Sequence, residues 1–300
     1  MVNRLGLYKI FTEVVEYENF SKAAKALYMT QPAVSQAIMQ LEEKLGIRLF
    51  TRTSRGVMVT NEGKLLYEYI SSAINLIDAG EQKIRDSKSL MMGDLQIGVG
   101  DTISRYYLLP YLEIFHNKYP NIKLKIINRT TPELATMLKS GKVDIAICNL
   151  PLKDPAFIVA KCMDVHDIFV CGEQYKDKIP EFLSLQELVK WPLILLEKNS
   201  NSRLYVEKYM LSKGLKMNPE IELGSHDLLL EFAKINLGIA CVTQEFCGEY
   251  LQDGRLYKIK LDNEIPKRSI GYCFLKSVSL SPASTKFLEI LTHTNKGELN

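Results

Sequence analysis

The 300 residues predict a multidomain α+β chain. A helix-turn-helix with a basic hairpin fills residues 1–60, a long helix and hinge fill 61–89, and an α/β domain fills 90–300. Three observations predict it. Between Phe20 and Thr60, two short amphipathic helices, a turn and a basic hairpin follow in order. Beyond Thr60, apolar positions keep a heptad spacing. From Asp94, short apolar runs alternate with helical patterns, the βαβ order of a parallel sheet covered by helices.

The first helix carries Leu7, Phe11, Val14 and Val15 on one face. The second is short, with Ala23, Ala24, Ala26 and Leu27, and Ser21 is its expected cap. Its small side chains let a neighbouring helix cross closely. Thr30 is the expected N-cap of the third helix, and Pro32 fits its first turn, where a missing N–H costs little. Val34, Ile38, Leu41 and Leu45 form one stripe of 3.6-residue period, and Gly46 stops it. Pro32, Gln36, Met39, Gln40 and Glu43 lie away from that stripe, with Ser35 at its edge and Gln31 at the tip. In the helix-turn-helix plan, such a polar tip enters the major groove of DNA.

The stretch RLFTRTSRGVMVT reads as a β-hairpin with Ser54-Arg55-Gly56 at its turn. Arg48, Arg52 and Arg55 make it basic. Residues 1–64 hold nine Lys/Arg and six Asp/Glu, whereas the remainder holds 29 of each, so the whole net charge of +3 sits in the N-terminal fifth. Arginines on such a hairpin can hold phosphates or enter a narrow minor groove. An ordinary core under a solvated basic face would carry the same stripes one by one. Their ordered succession favours DNA binding.

These residues resemble the winged helix-turn-helix of the LysR-type transcriptional regulators. The matching positions are Phe20, Ala23-Ala24, Leu27, Gln31-Pro32, Ser35, Ile38, Leu41-Glu42, Leu45-Gly46, Leu49-Phe50, Arg52, and Thr60 with Gly63. The resemblance implies that Ser21, Thr30, Gln31, Pro32, Ser35 and Gln36 face DNA, and that Arg52 and Arg55 serve the wing. Gln36 departs from the arginine that many members carry there. Glutamine suits adenine, whereas arginine suits guanine.

The composition, 46% hydrophobic and 24% charged, is that of an ordinary globular chain. No run of 18 apolar residues suggests a membrane span, and the N-terminus lacks the apolar core of a signal peptide, so a cytoplasmic location is expected. Cys148, Cys162, Cys171, Cys241, Cys247 and Cys273 form no C-x-x-C pair and no metal-ligand spacing. They are expected to be reduced, buried thiols. A redox-sensing pair among them is the sharper alternative. No cofactor and no metal is expected.

Thr60 is expected to cap a helix running to about Asp86, with Leu66, Ile70, Ala73, Ile77, Gly80 and Ile84 on a heptad seam. A helix of about 25 residues spans roughly 38 Å and needs a partner for that seam. A second copy of the chain is the simplest one. Packing on its own chain is the alternative. The segment DSKSLMMGD reads as a hinge.

In the C-terminal two-thirds, LQIGVG, KLKIIN, VDIAICN, FIVAKCM, DIFVCGE, PLILLE, EIEL, GIACVT, RLYKIKL and SIGYCFL read as strands. The helices between them start in hydroxyl-rich turns: Asp101–Ser104, Asn128–Thr131 and Asn199–Ser202. Each turn taken alone is an ordinary helix cap. The family resemblance implies that they converge. It implies two α/β subdomains like those of periplasmic solute-binding proteins, one over 90–162 and 267–300, the other over 163–266. A small-molecule effector would lie in their cleft, against Thr102, Ser104, Thr131, Asn149, Ser202 and His226. Hydroxyls and helix N-termini suit a small anion, a carboxylate or an amino-acid-like metabolite. Arg129 could neutralise it or stand as a surface charge. The implied partners are double-stranded DNA with an interrupted inverted repeat, the effector, a second copy as homodimer and then homotetramer, and RNA polymerase. An enzyme with a DNA-binding head is the competing class. No G-x-S-x-G, H-E-x-x-H, P-loop or dinucleotide-binding glycine pattern supports it, and His226 has no evident acid-base partner. No residue is expected to be catalytic.

Overall fold

The computed structural model describes residues 4–53, 56–87 and 93–294. It divides into two compact units, residues 1–85 with 140–142, and 86–139 with 143–300.

The first unit holds α1 (Arg4–Tyr17), α2 (Phe20–Ala26), α3 (Gln31–Leu45), β1 (Phe50–Thr53), β2 (Gly56–Val59) and α4 (Asn61–Ser87). The apolar stripes meet in one core, with Phe11, Val14, Ala23, Val34, Ile38, Leu41 and Leu49 nearly or fully out of solvent. Ser21 does not cap α2. Asn19 does, its side-chain carbonyl accepting from the N–H groups of Ser21 and Lys22. Helix α2 already begins at Phe20, so Ser21 lies inside its first turn. Thr30 caps α3 by accepting from Ala33 N–H, and Gly46 ends it in the left-handed region at φ 69°. Glu42 ties α3 to the hairpin, its Oε1 accepting from Leu49 N–H at 2.6 Å and Phe50 N–H at 3.1 Å. The hairpin pairs Phe50 with Val59 and Arg52 with Val57. Its expected turn residues Ser54 and Arg55 lie outside the described residues.

Thr60 caps α4, its Oγ1 accepting from Gly63 N–H at 3.0 Å and donating toward the carbonyls of Arg48 and Leu49. Helix α4 is roughly 40 Å long. Leu66 and Tyr67 pack against the core of this unit, and Tyr67 donates to Glu16 at 3.0 Å. Burial, and then that carboxylate, push the Tyr67 phenol up to about 12. Further along the seam, Ala73, Ile77, Gly80 and Ile84 are exposed. Residues 88–92 of the expected hinge lie outside the described residues.

The second unit begins with β3 (Gly93–Val99), α5 (Asp101–Ile103), a π-helical turn at Ser104–Leu108, α6 (Leu109–Lys118), β4 (Ile122–Asn128), α7 (Thr131–Lys139) and β5 (Ile145–Leu150). Strand β6 (Phe157–Val165) follows, then β7 (Asp167–Cys171), α8 (Glu173–Lys176), α9 (Leu185–Leu188) and β8 (Leu193–Leu196). Next come α10 (Asn201–Ser212), β9 (Ile221–Leu223), α11 (His226–Lys234), β10 (Ile239–Thr243), α12 (Gly248–Gln252) and β11 (Tyr257–Lys258). Strand β12 (Arg268–Leu275) and α13 (Pro282–Thr294) close the chain.

Two five-stranded sheets result, ordered β4-β3-β5-β12-β6 and β9-β8-β10-β7-β11. Both follow one plan. The first three strands in each order are parallel, and the last two pairings are antiparallel. The expected parallel sheet is therefore mixed. The chain leaves the first sheet through β6 and returns through β12, and an outgoing strand beside a returning one must run antiparallel. Of the RLYKIKL run, only Tyr257 and Lys258 pair as a strand. The first sheet packs α6 and α13 on one face, around Phe115 and Phe287, and α7 on the other, and the second is likewise covered on two faces.

All six cysteines are free thiols. Burial pushes Cys171 and Cys247 up to about 11 and raises Cys162 and Cys241 as well, so none of these four is an activated nucleophile. Cys148 and Cys273 are buried with their Sγ atoms 3.9 Å apart, and Cys148 is held low by the hydrogen bond between them. Cys148 faces Gly271 and Cys273 faces Ala146, so the two are diagonal neighbours. Diagonal strand positions lie about 7–8 Å apart, beyond ordinary disulfide reach.

Gly63 permits a close approach between α4 and the hairpin. A Cβ there would sit 2.5 Å from Leu49 O and 2.6 Å from Val59 Cγ2. Gly63→Ala is expected to destabilise the first unit by about 1–3 kcal/mol. A lower Tm for that unit in calorimetry of the whole chain is the readout, and an unchanged Tm would show that the contact is slack.

Candidate functional site

A cavity of about 320 Å³ opens in the second unit between its two sheets. Its floor and walls are the carboxyl ends of strands and the starts of the helices that follow them. Thr102, Thr131, Asn149, Ser202 and His226 all line it, as does Arg129. Ser104 does not. It opens the π-helical turn, and its N–H is already bonded to Gly100 O at 2.8 Å. It stands past the free first turn that makes Thr102 useful.

Three of the helix starts here lack a side-chain cap: α5 after Gly100, α10 after Ser200 and α11 after Ser225. Their first N–H groups are left as donors beside the cavity, where the helix dipole also favours negative charge. At the start of α7, by contrast, Glu133 accepts from Thr130 N–H at 2.9 Å and from its hydroxyl at 2.6 Å. Those bonds hold the Glu133 carboxyl below the usual carboxylate range.

Sequence reasoning missed the network behind these residues. Asp167 opens β7, Arg268 opens β12, and both side chains are almost wholly buried. Arg268 grips Asp167 with two bonds, from Nε at 2.7 Å and from Nη2 at 2.8 Å. Its Nη2 also donates to Thr243 Oγ1 at 3.0 Å, and its Nη1 donates to Asn149 Oδ1. Asn149 is thereby oriented, and its amide N–H groups have no acceptor among the described residues. Asp167 and Arg268 each stand beside an apolar strand run and read in sequence as solvated charges. Their separation of 101 residues leaves no local signal.

His226, 4% exposed, extends the network. Its Nε2 accepts from Thr243 N–H at 3.1 Å, which puts the ring proton on Nδ1. Nδ1 has no partner among the described residues. Burial lowers the imidazole to about 4, so the ring is neutral at pH 7. At the rim, Asp227 of α11 accepts from Tyr106 Oη and pairs with Arg105 Nη1 at 2.7 Å, joining the π-helical turn to the second sheet's helix. Tyr106 also stacks on Phe246, with centroids 5.2 Å apart.

In the first unit, Gln31, Pro32 and Gln36 are exposed at the start of α3, Thr30 is exposed at its cap, and Ser35 is half-buried. Ser21 is exposed on α2, and Arg52 lies on β1. Arg55 lies outside the described residues. Tyr28 escaped the sequence reading. It sits in the turn before α3 with φ 55° and is 98% exposed. A bulky residue on a left-handed backbone is uncommon.

Two family models cover the chain. Residues 5–64 match the bacterial regulatory helix-turn-helix protein of the lysR family, and residues 88–296 match the LysR substrate binding domain. The chain belongs to the LysR family. It is a transcriptional regulator with a DNA-binding head and an effector-binding domain. This LysR regulator is 27% identical to a probable RuBisCO transcriptional regulator of Guillardia theta, over 96% of the chain and 95% of the relative. It is 24% identical to the transcriptional activator CmpR of Synechocystis, over 96% and 94%. Among solved structures it is similar to CbnR, a LysR family regulator, with TM-score 0.66, 17% identity and coverage of 98% and 99%. CbnR has also been solved with its target DNA, matching at TM-score 0.67, 17% identity and coverage of 97% and 99%. No described helix is long and apolar enough to cross a membrane.

Two outcomes are expected. Asp167→Asn leaves Arg268 buried without a counter-charge and should cost about 3–5 kcal/mol in urea unfolding. A loss below 1 kcal/mol would mean that the pair is dispensable. For His226 the folded pKa lies below the unfolded value of 6.5, so its contribution is complete above about 6.5 and fades as pH falls toward 4. His226→Asn should therefore lose less Tm than the parent between pH 7 and 4.5, and equal losses would contradict a buried neutral ring.

Proposed function

We propose that this LysR regulator reads DNA with the start of α3 and the basic hairpin, and that a small molecule with an anionic end controls it from the cavity. One observation carries the effector reading. Three uncapped helix starts, the amide of Asn149 and the unpartnered Nδ1–H of His226 border one cavity. All are donors, and buried donors left unpaired cost about 1–3 kcal/mol each. A carboxylate or other oxyanion satisfies several at once. Thr102, Thr131, Asn149, Ser202 and His226 are the proposed contacts. Ser104 is left out.

On the DNA side, Gln31, Pro32, Ser35 and Gln36 face the bases or the adjacent phosphates, with Gln36 suited to adenine. Ser21, Thr30, Arg52 and Arg55 hold the backbone, and the turn residue Tyr28 joins them as a phosphate donor. The exposed seam of α4 supports pairing with a second copy, which would present two heads to an inverted repeat. Pairing of such dimers into a tetramer, and contact with RNA polymerase, belong to the same proposal. The effector would favour one arrangement of the subdomains and so change the spacing of the heads, a population shift that requires unequal affinity for two states. No residue is assigned a catalytic role. A redox mechanism has less support, since Cys148, the thiol held low, is buried, and the half-buried Cys162 and Cys241 are both raised.

Footprinting of one operator with and without saturating effector should give two protection patterns, and identical patterns would sink the coupling. Gln36→Ala should cost about 1–3 kcal/mol at one base-pair position and relax its preference. Arg52→Ala should weaken binding across all sequences and lower the salt slope by about 1. Equal behaviour of the two variants on every sequence would refute the division of roles.

A further inference from the structure

The formal charges on the cavity wall are Asp101, Glu133 and Glu197 against Arg129 and Arg268. Most of them are already committed. Arg268 is neutralised by Asp167 at two hydrogen bonds and spends its remaining nitrogen on Asn149. Glu133 is bound to Thr130, and the exposed Arg129 guanidinium near it donates to Asn128 O at 2.7 Å and pairs with no carboxylate among the described residues. Two carboxylates remain. Asp101 accepts one bond from Asn128 Nδ2 at 3.0 Å, and Glu197 accepts none from a described residue. Asp101 begins α5 on the first sheet's side, and Glu197 follows β8 on the second sheet's side, so they stand on opposite walls. The uncompensated charge of the wall is therefore negative, although the neutral groups between are donors. His226 lines the same cavity with its Nδ1–H unpartnered and buried. A plain anion would satisfy those donors and meet two carboxylates that no cation among the described residues pairs.

We propose that the effector is a zwitterion of amino-acid type. Its carboxylate lies on the uncapped helix starts and His226, and its ammonium group lies between Asp101 and Glu197. The proposal rests on the reading of this cavity as the effector site and names the class of molecule it takes. Three properties of the wall select that class together: donors without acceptors at the helix starts, acceptors without cations at Asp101 and Glu197, and an arginine whose charge is spent. Arg268, the most deeply buried cation of the wall, then acts as a positioning residue for Asn149 rather than as the anion's counter-charge.

Thermal-shift titration of the full chain with three matched sets tests this: the twenty standard amino acids, their 2-oxo acid counterparts and their decarboxylated amines. At least one amino acid should raise Tm, with its oxo acid and its amine each binding at least tenfold more weakly. Glu197→Gln and Asp101→Asn, both at exposed positions, should each weaken that amino acid about five- to tenfold and leave oxo-acid binding unchanged or tighter. An oxo acid that binds as tightly as its amino acid, with Glu197→Gln neutral, overturns the zwitterion and keeps an anionic effector. An amine that binds best overturns the carboxylate assignment. Silence from all three sets overturns the proposal and leaves the broader anionic reading of the cavity to other oxyanions.

Discussion

The ion pair between Asp167 and Arg268 is the constraint on which the rest of the effector domain depends. Each residue opens a strand at a place where the chain passes between the two sheets. Both are almost out of solvent, where an unpaired charge is prohibitively costly. The pair must therefore form wherever the two sheets assemble. Once formed, it sets the orientation of Asn149 and Thr243, and through Thr243 N–H it fixes the tautomer of His226. One buried carboxylate thus orders three polar side chains on the cavity wall. Its Coulombic gain is largely offset by desolvation, so its main effect is to make a single arrangement of these groups far better than any other.

Helix starts in this chain are treated in two ways. Side chains close α2 (Asn19), α3 (Thr30), α4 (Thr60) and α9 (Ser184, in a capping box with Glu187), whereas α8 and α12, also away from the cavity, have no side-chain cap. At the cavity, α5, α10 and α11 are left open. Polar residues suited to capping are present there, at Ser200 and Ser225, and do not cap. The shared plan of the two sheets explains why so many starts meet. Each sheet sends the carboxyl ends of its three parallel strands to the same side, and two such edges face one another across the crossover strands.

Much of this was legible beforehand because it is local. The stripe of Val34, Ile38 and Leu41, the cap at Thr30, the stop at Gly46 and the cap at Thr60 each depend on residues within one or two turns. The cap of α2 is Asn19 and not Ser21, because both are good cap residues and only the start of α2 at Phe20 separates them. Ser104 lies near Thr102 in sequence but outside the cavity lining, and its backbone donor is consumed one turn into the helix. The strands were recognised by their apolar runs, whereas the mixed direction of the sheets depends on a return strand more than a hundred residues downstream of β6. Tyr28 was overlooked because nothing in a turn sequence reveals how far a side chain projects.

By itself the sequence determined the modular order of this regulator, the polar tip and wing of its DNA-binding head, the heptad seam and the hydroxyl-rich turns at the ends of the strands. These follow from periodicity, capping chemistry and charge segregation, which act over a few residues. Only the tertiary structure decided which turns are left open beside the cavity, which arginine is already neutralised and which carboxylates of the wall lack a cation. Those properties belong to pairs of groups brought together from distant strands. Whether a charge is spent or available depends on its neighbour in space, and residues 101 positions apart carry no sign of each other until the sheets have assembled.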